Sequence, residues 1–442
     1  MIYLDHAATT PLRREALEAM RPYLTDFFGN ASAAYRLGVR SRKALNVARR
    51  AIASTIGADP TEIYFTSGAT ESDNWAIRGA ALARMERGRH IITTKIEHPA
   101  VLETCRQLER FGFEVTYLDV NRNGVVSTDS LRRAIRPDTV LISVMYANNE
   151  TGVLQPVGEI GKIAQEHGIL FHCDAVQAYG HVPVDPKAAG IDLLSVSGHK
   201  FGGPKGVGYL YVRQGIKLEQ LLCGGGQESG MRSGTEAVAS IAGMAAAAEA
   251  ACGSLEASAG RVRELREALE LGLREAIPGV VIHGGESWSP AAGRNGSGEN
   301  CRSLAGTDAR EGNCRPAAGR NGSGENCQSL AGTDARVENC QPAAGIHGTE
   351  NRLPGIASIR FPGVEAEQLM IRLDMRRIYV SGGSACSTGS RKPSHVLTAM
   401  GVSEQEIRGT LRFSLGEENT MEEILETVKA VKEEWTICAG GR

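Results

Sequence analysis

The chain lacks the features that mark several broad classes of protein. Its 49 Lys and Arg are balanced by 51 Asp and Glu, so it has no basic excess for binding nucleic acid. No run approaches the roughly 18 apolar residues of a membrane span, and the charged N-terminus has no apolar signal-peptide core. Ten cysteines in 442 residues are too few for a disulfide scaffold. We therefore expect a cytoplasmic protein with reduced thiols and no nucleic-acid or membrane partner.

What the chain does contain is a regular alternation of apolar runs and amphipathic stretches. The apolar runs predict strands at 62–66, 90–94, 113–118, 139–145, 168–174, 192–197 and 207–212. Helical patterns, such as 98–112 and 159–168, lie between several of them. This alternation indicates βαβ units and a mostly parallel, doubly wound α/β sheet.

The chain is long enough for more than one domain. We expect residues 26–250 to form a large domain and residues 251–442 a smaller α+β domain, against which residues 1–25 pack. Strands of the smaller domain are predicted near 356–361, 378–380 and 410–414.

Residues 286–350 break the pattern, because they consist of five units of 13 residues. Four units carry a cysteine and the first carries a tryptophan at the matching place: Trp288, Cys301, Cys314, Cys327 and Cys340. Regular cysteines could indicate a metal or redox site, but structural zinc usually takes pairs at C-x₂₋₄-C spacing, which are missing here. Because the units are rich in Gly, Asn and Ser, we favour a disordered surface insertion. Without it, VVIHGG and LPGIASIRF would become neighbouring strands.

Several polar side chains follow predicted strands, at the edge where parallel sheets bind ligands. Lys200 could form a Schiff base with a carbonyl cofactor such as pyridoxal phosphate (PLP), although a lone loop lysine such as Lys205 is more often simply solvated. Thr70 opens a helix whose N–H groups suit a phosphate, although hydroxyl caps are common. Asp174 could keep a pyridine nitrogen protonated or could only start a turn. His98 could stack on a flat cofactor or cap the helix that begins at Pro99.

Three further residues complete the candidate site. Asn149 follows the apolar run 139–145 at the same predicted edge. Arg412 lies among apolar residues on a late strand, where its charge needs an anion such as a substrate carboxylate. Cys386 lies in the loose stretch SGGSACSTGS, although a cysteine used for packing would be buried. Its local sequence alone does not say why a cysteine stands there.

These motifs, in this order, resemble those of the cysteine desulfurases of the NifS/IscS type. Those enzymes use PLP, belong to the class V aminotransferase group and have the fold type I architecture. The resemblance covers nearly the whole chain outside residues 286–350. It is carried by YLDHAATTP, FGNASAAYRLG, FTSGATESDN, EHPAVLETCRQLE, NNETG, CDAVQ, SGHKFGGPKGVG, GGGQESGMRSGT, SGGSACS and LRFSLG.

The resemblance implies a role for each candidate toward the cofactor. Lys200 would bind PLP covalently, Asp174 would pair with the ring nitrogen, and Gln177 would reach the phenolic oxygen. His98 would stack on the ring and, with Lys200, move protons. Residues that would surround the phosphate are Ala69, Thr70, Ser197, His199 and, from a second subunit of a homodimer, Thr235.

The resemblance also implies the chemistry. Asn149, which also contacts the cofactor, and Arg412 would hold the carboxylate of L-cysteine. Cys386 would take its sulfur as a persulfide, leaving alanine, and pass it to an acceptor protein for iron–sulfur clusters or tRNA thiolation. No intrinsic metal is expected, although Cys386 could transiently ligate a cluster in a scaffold complex. The SGGSAC context resembles the family group with a longer mobile loop, whereas Tyr35 stands where many members have histidine.

Two other functions stay open at the level of the sequence. A selenocysteine lyase or another class V enzyme would share the fold, but an aminotransferase would not need Cys386. A non-enzymatic homologue would be expected to lack Lys200, Asp174 or Cys386, and all three are present.

Overall fold

The structure, a computed structural model, describes residues 1–284, 351–382 and 393–440. The repeat segment and Cys386 therefore lie outside the described residues, and the expectations for them stay predictions. So does the division into domains at residues 25 and 250.

Short strands occur along the whole length of the described chain. In order, they are Ile2–Tyr3 (β1), Ile63–Thr66 (β2), His90–Thr94 (β3), Glu114–Leu118 (β4), Thr139–Ser143 (β5), Leu170–Asp174 (β6), Leu193–Ser197 (β7), Gly208–Val212 (β8), Val281–His283 (β9), Ile356–Arg360 (β10), Ile378–Tyr379 (β11), Ser381–Gly382 (β12) and Thr410–Ser414 (β13).

The α-helices lie between these strands and at the C-terminus. In order, they are Arg14–Thr25 (α1), Arg36–Thr55 (α2), Ala69–Ala83 (α3), Pro99–Glu109 (α4), Thr128–Ala134 (α5), Val157–Glu166 (α6), Val238–Gly253 (α7), Leu255–Ala276 (α8), Ala366–Met375 (α9), His395–Ala399 (α10), Glu404–Arg408 (α11) and Met421–Gly440 (α12). Within the described ranges no single helix is long and apolar enough to cross a membrane, and α7 with α8, bent by 73°, passes that test only as a pair.

The main sheet has the order β2-β8-β7-β6-β5-β3-β4 among the described residues. Strand β8 runs antiparallel to both of its neighbours, and the other pairs are parallel. Each of the seven apolar runs predicted between residues 60 and 215 contains one of these strands. The predicted α/β fold with a mostly parallel sheet is therefore confirmed.

The apolar runs are continuous because helices cover both faces of the sheet. Successive residues of a strand point to opposite faces. Ile142 and Phe171 accordingly belong to one apolar core, whereas Leu141 and Leu170 belong to another. This double cover leaves the carboxyl ends of the strands as the edge where polar side chains can gather.

A second sheet, of order β12-β13-β10-β9, has its own apolar core. Strands β9 and β10 pair antiparallel, with His283 opposite Ser358. The prediction that the stretches on either side of the repeat are neighbouring strands is therefore confirmed.

Residues 1–25 divide between two places. Strand β1 pairs in parallel with β11, and Asp5 continues toward Ser414 through an isolated bridge. Helix α1 instead packs against α7. The stretch between them, from Ala7 to Thr10, runs past the carboxyl ends of the main sheet, where it meets Lys200 and His199.

Candidate active site

A cavity of about 1200 Å³ opens at the carboxyl ends of the main strands. Its lining includes ten of the residues predicted from sequence: Ala69, Thr70, His98, Asn149, Asp174, Gln177, Ser197, His199, Lys200 and Arg412. Thr235 is exposed and does not line this cavity, and Cys386 lies outside the described residues. One cavity thus collects side chains that lie up to 343 positions apart in sequence, from residue 69 to residue 412, the last of them from the second sheet.

The start of α3 forms one end of the cavity. Gly68 has a φ of 147°, a conformation that favours glycine and lets the chain turn from β2 into the helix. Ala69 and Thr70 belong to the first turn, whose N–H groups have no acceptor within the helix, and no side chain caps this helix start. Such a helix start is a binding site for an anion such as phosphate when other groups complete it.

Asp174 ends β6 deep in the same cavity. Its carboxylate accepts the N–H of Val176 at 2.9 Å, and the residue is 6% exposed. Burial, followed by the negative charge of Asp73, raises the pKa of Asp174 to about 7. A buried carboxylate of this kind is best satisfied by a cation, because the positive charge offsets the cost of desolvation.

Lys200 follows β7 in the short turn Gly198–Lys200. Its Nζ donates hydrogen bonds to the carbonyl oxygens of Ala7 at 2.7 Å and Ala8 at 2.9 Å. The Gln177 amide also donates to Ala7 O, at 2.9 Å. The N-terminal stretch therefore orients two candidate side chains in the cavity, a contact that their positions in sequence do not reveal.

The two histidines of the site have different surroundings. His98 is the N-cap of α4, and its Nδ1 accepts the N–H of Ala100 at 3.1 Å, so a neutral ring carries its proton on Nε2. His199 Nδ1 lies 3.1 Å from the hydroxyl of Thr9. Burial, followed by the positive charges of Lys200 and Lys205, lowers the pKa of His199 to about 4, so this ring is neutral at neutral pH.

Arg412, on β13, is 2% exposed and is held at three points. Its guanidinium donates to Asn149 O at 2.9 Å, Asp5 Oδ1 at 2.8 Å and Ser381 Oγ at 2.9 Å. Its Nε is buried without a hydrogen-bond partner among the described residues. The anion expected near Arg412 is thus present within the chain as Asp5, which the sequence reasoning missed although it directly follows β1 and Leu4.

Other residues missed from sequence stabilise the start of α3. Glu71 accepts hydrogen bonds from the N–H and hydroxyl of Ser67, at 2.8 and 2.6 Å. It also forms a two-point ion pair with Arg232, at 2.8 and 3.0 Å. Arg232 lies three residues before Thr235, so this pair fixes the loop that carries Thr235 beside the helix start.

Tyr35 is 61% exposed and precedes α2.

The donor set fits PLP. An open helix start suits the phosphate, a buried carboxylate suits a protonated ring nitrogen, and a lysine amine suits the aldehyde. All three line one cavity, as Thr70, Asp174 and Lys200.

Comparison with known proteins agrees with this geometry. Residues 2–291 and 333–426 match the family described as Aminotransferase class-V. A protein of Methanosarcina thermophila named cysteine desulfurase IscS is 45% identical over 432 residues, which cover 98% of this chain and 91% of that protein. Another of that name, from Dictyoglomus turgidum, is 41% identical and covers 99% and 98% of the two chains.

Solved structures give the same picture. A structure titled "NIFS-LIKE PROTEIN" is 34% identical, with a TM-score of 0.79 and 99% coverage of both chains. A structure of SspA in complex with cysteine is also 34% identical, with a TM-score of 0.72 and coverage of 95% and 100%. The fold and the site define a fold type I enzyme of the PLP-dependent kind. Within that class, the chain belongs to the class V aminotransferase family and to its cysteine desulfurases.

Proposed function

We propose that this enzyme removes sulfur from L-cysteine, with PLP bound at Lys200 and the sulfur received by Cys386. The observation that carries the proposal is the single cavity lined by Lys200, Asp174 and Arg412. Strand β12 supports the role of Cys386, because Ser381 on that strand lies directly opposite Arg412. Cys386 follows Ser381 by five residues, which extended chain can span over at most about 18 Å.

Within this proposal PLP supplies an electron sink for the pair released when a proton leaves the substrate. Lys200, Asp174 and Gln177 would hold the pyridine part of the cofactor, and the start of α3 with Ser197 and His199 would hold its phosphate. His199 is suited to binding the phosphate because its ring is neutral at neutral pH. It can therefore offer a hydrogen bond without adding a second positive charge beside Lys200.

The chain's own groups then move the protons. The Lys200 amine takes and returns the proton of the substrate α-carbon, and His98 holds a second proton at Nε2, as its contact with Ala100 requires. Asn149 and Arg412 bind the substrate carboxylate. Arg412 lines the cavity, so the substrate carboxylate could approach its guanidinium from that side.

The sulfur step is balanced by the thiol. The Cys386 thiolate attacks the sulfur of L-cysteine, an S–S bond forms, and the C–S bond of the substrate breaks. The electron pair of that bond stays with the carbon skeleton, which takes up a proton and leaves as alanine. The persulfide on Cys386 is then passed to an acceptor protein, which we expect to serve iron–sulfur cluster assembly or tRNA thiolation.

We propose a homodimer as the working form. Arg232 ties the loop before Thr235 to the phosphate end of the cavity, and Thr235 itself is exposed. Thr235 would therefore be free to reach the phosphate site of a second copy. Large apolar side chains are also exposed at the end of α1 and just after it, with Leu24 62% and Phe28 72% exposed. We propose that these side chains belong to the contact between the two copies.

Replacing the proposed nucleophile tests the function. We expect Cys386→Ser to lower sulfide release from L-cysteine by at least about a hundredfold, because the hydroxyl cannot accept sulfur. The visible absorbance of bound PLP should be unchanged, since Cys386 has no part in holding the cofactor.

Cys223→Ser is the matched control, because Cys223 is an exposed thiol of the described chain. It should retain full activity. Equal sulfide release by Cys386→Ser and the unsubstituted enzyme would contradict the persulfide step. Selenide release from L-selenocysteine with no sulfide release from L-cysteine would favour a selenocysteine lyase.

A further inference from the structure

Asp73, on α3, is a buried carboxylate that the proposed reaction does not use. The residue is 1% exposed and lines the same cavity as Asp174. Neither of its carboxylate oxygens accepts a hydrogen bond among the described residues. Leaving a buried ionisable group in this state costs free energy, so its presence calls for an explanation.

The imidazole of His172 lies where it can compensate the negative charge of Asp73. His172 Nε2 lies 3.5 Å from Asp73 Oδ1, and both side chains are almost wholly buried, at 0% and 1% exposure. His172 also contacts the hydroxyls of Ser143, at 2.8 Å from Nδ1, and Ser195, at 3.0 Å from Nε2. Because a serine hydroxyl can donate or accept, these contacts accommodate both the neutral and the protonated ring.

The backbone brings this pair to Asp174. His172 and Asp174 lie two residues apart on β6, so their side chains leave the sheet on the same face. Helix α3 packs on β6 and brings Asp73 to the same cavity. The three residues therefore form a buried cluster of two carboxylates and one imidazole.

We propose that Asp73 and His172 are positioning residues that set the charge of Asp174, and thereby how tightly the site holds a protonated heteroaromatic ring. The inference rests on the proposed function, because that ring would be the pyridine of PLP. Neither residue needs to touch the reacting atoms.

The physical reason is the cost of two like charges in a buried site. A second buried carboxylate nearby disfavours the ionised form of Asp174 unless a cation lies beside them. Burial is the largest cause of the raised pKa of Asp174; Asp73 raises it further, whereas His98 and His172 lower it. A ring cation entering the site would replace the proton that Asp174 otherwise holds, and both carboxylates would then favour the cation.

Two other titratable groups lie near Asp174, and neither alters the expected effect of Asp73 and His172. Lys200 lines the same cavity and is present in every variant that we compare. Glu97, which precedes α4, is 1% exposed and accepts hydrogen bonds from the Thr94 hydroxyl and the Met145 N–H. Burial is the largest cause that raises the pKa of Glu97, which is about 8, so this group is mostly neutral near pH 7 and adds little negative charge there.

The test measures binding of pyridoxamine 5′-phosphate to cofactor-free protein between about pH 5.5 and 7.5. This probe carries the pyridine ring and the phosphate but cannot form a Schiff base with Lys200. Its own titration is common to all variants and cancels in their comparison. We expect affinity to rise with pH as Asp174 ionises, with a midpoint near 7 in the unsubstituted protein.

The two members of the pair should shift that midpoint in opposite directions. Asp73→Asn removes a like charge, so the midpoint should fall by about one pH unit. His172→Gln removes a potential cation, so the midpoint should rise. Glu97→Gln, the matched control, replaces a buried carboxyl that is already mostly neutral and should leave the midpoint unchanged.

Opposite shifts from Asp73→Asn and His172→Gln, with none from Glu97→Gln, would support the inference. Shifts in the same direction, no shifts, or an equal shift from Glu97→Gln would overturn it, because each would mean that the pair is only structural. If either Asp73→Asn or His172→Gln does not fold, the direction in which the other variant shifts the midpoint, compared with Glu97→Gln, still decides whether the inference holds. Failure of the unsubstituted protein to bind either PLP or the probe would instead contradict the proposed function.

Discussion

Arg412 has a structural role in the fold besides the role toward the substrate that we propose for it. Its charge is offset by Asp5, and its guanidinium is fixed by Asn149 O and Ser381 Oγ, so it needs no substrate to remain in place. Lysine could keep the charge but not the planar fork that meets several acceptors at once. The guanidinium geometry therefore matters more than the charge alone.

We predict that Arg412→Lys raises the KM for L-cysteine by about tenfold or more, because a charge-assisted hydrogen bond to the carboxylate is lost. Steady-state kinetics would measure this, with bound PLP followed by its absorbance. Arg408→Lys is the matched control, since Arg408 pairs with Glu404 on an exposed helix. An unchanged KM for Arg412→Lys would show that the carboxylate binds elsewhere.

At the scale of elements, α10 begins where the described chain resumes after the segment that holds Cys386. Its N-cap is Ser394, whose Oγ accepts the N–H of Leu397 at 3.1 Å and donates to Glu150 at 2.5 Å. Glu150 directly follows Asn149 and is 2% exposed. One hydroxyl thus caps a helix and satisfies a buried carboxyl next to the site.

We predict that Ser394→Ala lowers the free energy of unfolding by about 2 to 4 kcal/mol, since it removes a cap and leaves Glu150 without its donor. Urea unfolding monitored by circular dichroism would give the value. Ser403→Ala removes the equivalent cap of α11, whose partner Glu406 is on the surface, and should cost only about 1 kcal/mol. Equal losses in the two variants would mean that Glu150 contributes nothing.

The elements also show what sequence can and cannot predict here. The buried strands were predictable because runs such as 90–94 and 192–197 are apolar and bounded by turns. That most of the candidate side chains line one cavity was predictable because they follow those runs at one edge of a parallel sheet. Asp5 and Asp73 were not, because their importance depends on contacts with Arg412 and His172 far away in the chain, and local pattern carries no signal for such contacts.

At the scale of the whole molecule, the repeat lies in a connection between two adjacent strands. His283 on β9 pairs with Ser358 on β10, and the family match itself leaves out residues 292–332. A hairpin can be closed by a far shorter link, and a shorter link costs less loop-closure entropy. The two strands therefore do not depend on the repeat to find each other.

We predict that deleting residues 286–350 leaves PLP binding and the dimer intact and does not lower the thermal midpoint of unfolding. Absorbance of the bound cofactor, light scattering and calorimetry would measure the three properties. The full-length enzyme is the reference for all three measurements. A deletion of the same length in the main sheet would not be a matched control, because it would leave no comparable hairpin. A colourless, monomeric or aggregated product would show that the repeat is part of the folded structure.

The position of Arg412 along the chain sets the order in which the active site can be completed during synthesis. Apart from Arg412, the cavity is lined by residues between Ala7 and Gly206. The hydrogen bond between Arg412 and Asp5 joins positions that are 407 residues apart. At about 5–20 residues per second, roughly 10 to 40 s separate the synthesis of Gly206 from that of Arg412. A ribosome-bound chain therefore carries the residues of the proposed cofactor site well before Arg412 can join them. The proposed substrate end is thus among the last parts of the enzyme to form.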